Sequence, residues 1–325
     1  MSNNSFSLQN LLFQKIASKA NVSQKSLVKD VTSVLNLNSN VIYDRLNGKK
    51  LLNIEEVQKL ALHYNISLDE LIHSNLAIFK LDALEQQPNS FDAYLMLILN
   101  DLKVLGTIPN CEINYVASEM PFFYYLFYPE VALFKMYIWA RTVWNISAYQ
   151  GAQKFNIAAF KNSETLKNIE ELKALYVKFP TTEYWNTNML DTTINQIRYC
   201  FHCELFHDPK DAVELLEGIE LTVDRLEETA RTGQKSEQGQ TILFHNELIQ
   251  DSTLIMVDSP STKAVYCVYD SPNFMISYSD STFQHTYEYF TKIRKHCLPL
   301  NSEQQQLRFF KILRQKIKLV KEEFH

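Results

Sequence analysis

The sequence predicts a mainly α protein, and three observations carry that expectation. Only 6 of 325 residues are glycine, about a quarter of the usual ~7%, so the chain offers few tight loops. The first 74 residues split into short amphipathic segments, each opened by a capping residue. Longer segments at helical spacing follow up to residue 232, with few breakers. A β-rich stretch over 241–280 is the one interruption, and residues 281–323 return to helix. The expected organisation is residues 1–75, a helical body over 76–232, and a small α+β domain over 240–325 with an antiparallel sheet and two helices.

In the first segment, Leu11, Leu12, Ile16 and Ala20 recur at helical spacing. A second helix opens near Ser26 and carries Leu27, Val28, Val31, Val34 and Leu35. The turn Asn36-Leu37-Asn38 follows. Asn38 or Ser39 caps a third helix, which buries Ile42 and Leu46 and stops at Asn47-Gly48. Asn53 caps a fourth, with Glu56 as reciprocal partner. Ser67 caps a fifth, with Glu70 at its third position. Five short helices, the second and third joined by a three-residue turn, describe a helix-turn-helix domain.

Residues 26–72 resemble the Cro and phage-repressor class of helix-turn-helix regulators, the XRE-like group. The resemblance lies in the helix, short turn and third helix ending near Gly48, then Leu60-Ala61, Ile66-Ser67-Leu68 and Leu71. The whole chain also resembles bacterial regulators in which a long helical body and a small C-terminal domain follow the DNA reader. "YDRLNGKKLLNIEEVQKLA", "PFFYYLFYPEVALFKMYIW" and "TEYWN" are the stretches that match. Two positions depart from the common pattern. No clear Gln opens the second helix after Gln24, Lys25 and Ser26, and Val31 or Thr32 stands where a small residue is usual. The resemblance implies a transcription regulator that binds double-stranded DNA. A single such domain binds weakly, so a homodimer on two half-sites is the physical expectation. The C-terminal domain is expected to sense a small-molecule or protein effector or to support the oligomer.

Polar side chains on the third helix suit base reading. Asn38, Ser39, Asn40, Tyr43, Asp44 and Asn47 are left for its outer face. Asn pairs bidentately with adenine, and Ser bonds either kind of base edge. Tyr43 suits a thymine methyl or a phosphate. Asp44 suits cytosine N4, or an ion pair with Arg45 or Lys49. Lys49 and Lys50 suit phosphates, as do Gln24 and Lys25 at the start of the second helix. Residues 1–75 hold eight basic and six acidic side chains, a net of +2, which leaves −7 for the rest of a chain with net charge −5.

Farther on, helices are expected over 91–105, 114–126, 130–144, 165–178, 189–207 and 209–231, with Thr182 capping one that carries Trp185. The aromatic run from Phe122 to Tyr128 reads as a helix buried nearly all round, a homodimer face or a ligand pocket. Gly233 to Gly239 reads as a linker. Four antiparallel strands are expected over 241–280, then a helix from Thr282 to about His296 and a last helix capped by Ser302. Cys200, His202, Cys203 and His207 are spaced as zinc ligands could be, but on a continuous helix buried thiols are the better reading. His245 and Glu247 share a strand face as a base and its orienter would. No nucleophile is placed beside them, so no enzyme activity, cofactor or metal is expected. No apolar run approaches the 18 residues of a membrane span, and the first twenty residues do not read as a signal peptide. Five cysteines are not a disulfide framework, so a cytoplasmic protein is expected. The competing expectation is a protein-interaction or scaffold protein whose helix-turn-helix fold does not bind DNA.

Overall fold

The computed structural model describes residues 8–20, 24–64, 66–73, 76–81, 87–151, 153–237, 239–248 and 253–324. The chain divides into two units, Met1–Ile78 and Phe79–His325.

In the first unit, five helices enclose one small core: α1 (Leu8–Ala20), α2 (Gln24–Leu35), α3 (Ser39–Leu46), α4 (Ile54–His63) and α5 (Leu68–Ile72). Leu12, Phe13 and Ile16 of α1 meet Leu27, Val28, Val31 and Leu35 of α2, together with Ile42 and Leu60. Leu46 and Val57 pack at its margin, partly buried. Asn53 and Glu56 close the reciprocal capping box of α4, and the Ser67 side chain accepts from the Glu70 N–H.

The second unit corrects the expected fold class. It is an α/β fold built on one mixed eight-stranded sheet, in the order β1-β7-β6-β5-β2-β3-β4-β8. The strands are β1 (Lys80–Leu81), β2 (Glu112–Val116), β3 (Thr181–Trp185), β4 (Thr241–His245), β5 (Leu254–Asp258), β6 (Lys263–Asp270), β7 (Asn273–Ser277) and β8 (Leu298–Pro299). β2, β3 and β4 run parallel at its centre, and the strands on both flanks are antiparallel. Parallel neighbours need long crossovers. Here these are α7 (Phe122–Tyr125), α8 (Pro129–Thr142), α9 (Ile157–Phe160) and α10 (Ser163–Tyr176) between β2 and β3, then α11 (Asp191–His202) and α12 (Lys210–Thr232) between β3 and β4. The helical body and the small C-terminal domain expected from the sequence thus share a single sheet.

Two expected helices are strands. The segment 114–126 is β2 followed by the four-residue α7, and Thr182, expected as a cap, lies inside β3. β4 pairs with β3 and β8, so only β5, β6 and β7 form an antiparallel run within 241–280. The last two helices cover opposite faces. Phe283 and Phe290 of α13 (Asp280–Arg294) pack with Val116, Tyr184 and Phe244. Phe309, Phe310 and Leu313 of α14 (Glu303–Glu323) join the large core on the other face, with α6 (Phe91–Gly106), α8, α10 and α12.

The stretch read as a linker is a packed turn. Gly233 takes φ +69°, ending α12 with a left-handed residue. Lys235 is 5% exposed, and its ammonium donates to Thr181 Oγ1 at 3.0 Å above the ring of Tyr176. A Cβ on Gly239 would lie 1.8 Å from the carbonyl oxygen of Val177, so only glycine fits there. Among the described residues, no helix is long and apolar enough to cross a membrane.

Candidate nucleic-acid interface

The turn between α2 and α3 follows from its residues. Asn36 takes φ +53°, a conformation asparagine tolerates better than most, and Leu37 tucks against the core. Asn38 stands at the N-cap of α3 in extended backbone but makes no side-chain capping bond. Its amide is therefore exposed and uncommitted to the helix. Ile42 is fully buried and pins α3 to the domain.

Ser39, Asn40, Tyr43 and Asn47 are exposed, and Asp44 is half-buried. Positions 40, 43 and 47 recur at three and four residues, so they form one stripe along the helix. α3 ends where Gly48 takes φ +70° with nothing within 4 Å of a Cβ, so glycine is needed for its backbone and not for space. Lys49 and Lys50 follow, both exposed. Lys49 lies 3.9 Å from the half-buried Asp44, and its own side chain is 72% exposed. Such a pair is worth little in water and leaves the lysine available. The side chains of Gln24 and Lys25 lie outside the described residues.

Two partners of this face carry no spacing signal in the sequence. Gln9 of α1 is 8% exposed, and its Nε2 donates to the carbonyls of Arg45 at 2.6 Å and Lys50 at 3.0 Å. Its Oε1 accepts from the Leu52 N–H at 2.6 Å. One side chain thus fixes both ends of the loop that carries the lysine pair. Arg45 is the second. Its guanidinium pairs with Glu56 at 2.6 Å, donates to the Leu51 carbonyl, and is largely buried. Glu56 closes the α4 capping box with its other oxygen, so one carboxylate ties α3 to α4. Arg45 is committed to structure, while Asn38, Ser39, Asn40, Tyr43, Asn47, Lys49 and Lys50 remain at the surface.

The second unit brings one expected pair together. His245 Nε2 and Glu247 Oε1 are 2.6 Å apart, and Glu247 also accepts from the Thr187 N–H at 3.0 Å. Partial burial opposes the charge on Glu247, but these hydrogen bonds outweigh it and hold the carboxyl below its usual range. Cys200 is buried within α11, and Cys203, at its C-cap, is exposed. Among the described residues, no group of three or more His, Cys, Asp or Glu side chains is arranged to hold a metal ion. Comparison of the chain with protein-family models, with curated proteins and with solved structures found no match.

Proposed function

We propose that this chain is a cytoplasmic, sequence-specific DNA-binding regulator of transcription that acts as a dimer and is not an enzyme. The observation that carries the reading is α3: a short helix anchored by Ile42, with an exposed polar stripe at Asn40, Tyr43 and Asn47 that ends in a loop clamped by Gln9. A recognition helix needs that arrangement, since its buried side must be rigid for the outer side to hold register on base edges. Lys49 and Lys50 then supply phosphate contacts that position without reading sequence. Selection of bound duplexes from a random library by the full-length chain tests it. The expected result is one enriched motif, present as two half-sites about one helical turn (10–10.5 base pairs) or a multiple apart. A pool that stays random overturns the reading.

A second reading, a protein-interaction module that does not touch DNA, draws on a different observation. Leu51, Ile54, Leu62 and Ile72 are each more than half exposed in the first unit. Apolar side chains so placed suit a protein partner, and this reading gains if no duplex is selected.

A further inference from the structure

Between the sheet and α6 in the second unit lies a cavity of about 170 Å³. Its wall is mainly apolar, with Ile113, Ile255 and Val257 from the sheet facing Ile98 and Leu102 from α6, and Asp101 of α6 is the one charged residue that lines it. A smaller chamber of about 60 Å³ shares Tyr94 and Tyr115 with it and is lined also by Glu119 and Lys135. A cavity of roughly 150 Å³ lined by aliphatic and aromatic groups holds a single benzene ring. The larger chamber is therefore of one-ring size, with room for a short chain toward the smaller one.

The polar end is built from buried groups. Tyr94 and Tyr115 are 9% and 6% exposed and line both chambers. A hydroxyl that lines a chamber in the protein interior is stabilised by a hydrogen bond to a ligand or a water there. Burial pushes both well above the ordinary tyrosine range, which keeps them protonated. Beside them stands Glu119. Its Oε1 accepts from the Lys135 ammonium and from Thr193 Oγ1 at 2.7 Å. The Lys135 side chain is 2% exposed, donates also to Gln196 at 2.8 Å, and lies over the Trp139 ring. The cation is thus used up inside the protein. Glu119 is 20% exposed, and among the described residues its second oxygen has no partner. The charge left to meet a ligand is negative.

We propose that this cavity binds a small one-ring molecule carrying a short arm that ends in a hydrogen-bond donor, an amine or a hydroxyl. The ring lies between the sheet and α6, and the head meets the Tyr94 and Tyr115 hydroxyls and the free oxygen of Glu119. An anionic head is rejected, because it would face that carboxylate with the neighbouring lysine already paired. The site lies wholly within the second unit and needs no DNA, so it stands or falls separately from the proposed function.

The test is a ligand-observed nuclear magnetic resonance titration of the full-length protein with four matched probes: 2-phenylethylamine, 2-phenylethanol, phenylacetate and ethylbenzene. The amine and the alcohol are expected to bind at least about tenfold more tightly than the acid and the hydrocarbon, the difference one satisfied buried polar group makes. Tyr115→Phe is expected to weaken the amine and alcohol by roughly tenfold and to leave ethylbenzene within about twofold. Ile255→Phe, which fills the larger chamber, is expected to weaken all four. Far-ultraviolet circular dichroism and melting check that both variants fold. If either fails to fold, the order of the four probes on the unaltered protein still decides. Phenylacetate binding as well as the amine, amine binding unchanged in a folded Ile255→Phe, or no binding of any probe up to about 10 mM overturns the proposal.

Discussion

Gln9 makes three hydrogen bonds to backbone groups 36 to 43 residues away. Gln9→Ala is expected to cost about 2–4 kcal/mol locally, since it orphans partly buried carbonyls and an N–H as well as removing the bonds. Native-state hydrogen exchange of the amides of α3 and of Leu52 measures this. Unchanged protection would show that the clamp does not hold the loop. Lys235 is a second residue whose role is invisible in sequence, where it sits in a Gly- and Gln-rich stretch. Its burial, only partly offset by the charge of Glu183, lowers its pKa to about 8. The unfolded chain keeps that proton to about 10.4. Between those values the unfolded state binds more protons, so this group makes stability rise with pH. Wild type is therefore expected to gain up to about 3 kcal/mol on Lys235→Met as pH goes from roughly 8 to roughly 10. Denaturant unfolding of both proteins across that range checks the sign, and a constant difference would place the ammonium in water.

The third to fifth helices of the first unit were legible because they carry their own punctuation. Asn53 with Glu56 and Ser67 with Glu70 mark starts within one turn, and Gly48 marks a stop, so local chemistry suffices. β2 and β3 were not. Each is five residues long, with Tyr115 and Val116, or Glu183 and Tyr184, buried on opposite faces. With both faces partly covered, and with Glu183 and Thr181 buried, polar and apolar residues do not sort cleanly onto opposite faces. β4 and β5 to β7 were found by composition, but their partners depend on crossovers that no local pattern records. The loop after α3 carries its own prediction. Changing Lys49 and Lys50 together to Ala should weaken binding to all duplexes alike and reduce the slope of log affinity against log salt by about two. Fluorescence anisotropy at several salt concentrations measures it, and an unchanged slope removes both lysines from the interface.

At the scale of the molecule, a fold class read from helical spacing alone missed a sheet that joins strands from residue 80 to residue 299. Those pairings close long loops, and sequence periodicity has no term for them. The proposed candidate site is the opposite case. Its polar residues are neighbours in sequence on one short helix, so the stripe was readable while its supports, Gln9 and the Arg45–Glu56 pair, were not. One recognition helix reads too few bases to select a site alone. Full-length protein is thus expected to be a dimer whose contact lies outside residues 1–75. Light scattering on the whole chain and on that fragment tests this, and a full-length monomer at tens of micromolar would contradict it.

The most direct measurement compares Asn40→Ala with Ile42→Ala on the selected duplex and on random duplex, with circular dichroism as the folding control. Asn40 is exposed on the stripe and Ile42 is fully buried. Asn40→Ala is expected to cost about 1–3 kcal/mol on the selected duplex and almost nothing on random DNA, as the loss of a bidentate base contact requires. Ile42→Ala is expected to destabilise the first unit by about 2–5 kcal/mol through the cavity it leaves, lowering both affinities together. Equal loss on both duplexes for a folded Asn40→Ala, or no loss on either, would contradict the assignment of α3 as the helix that reads DNA.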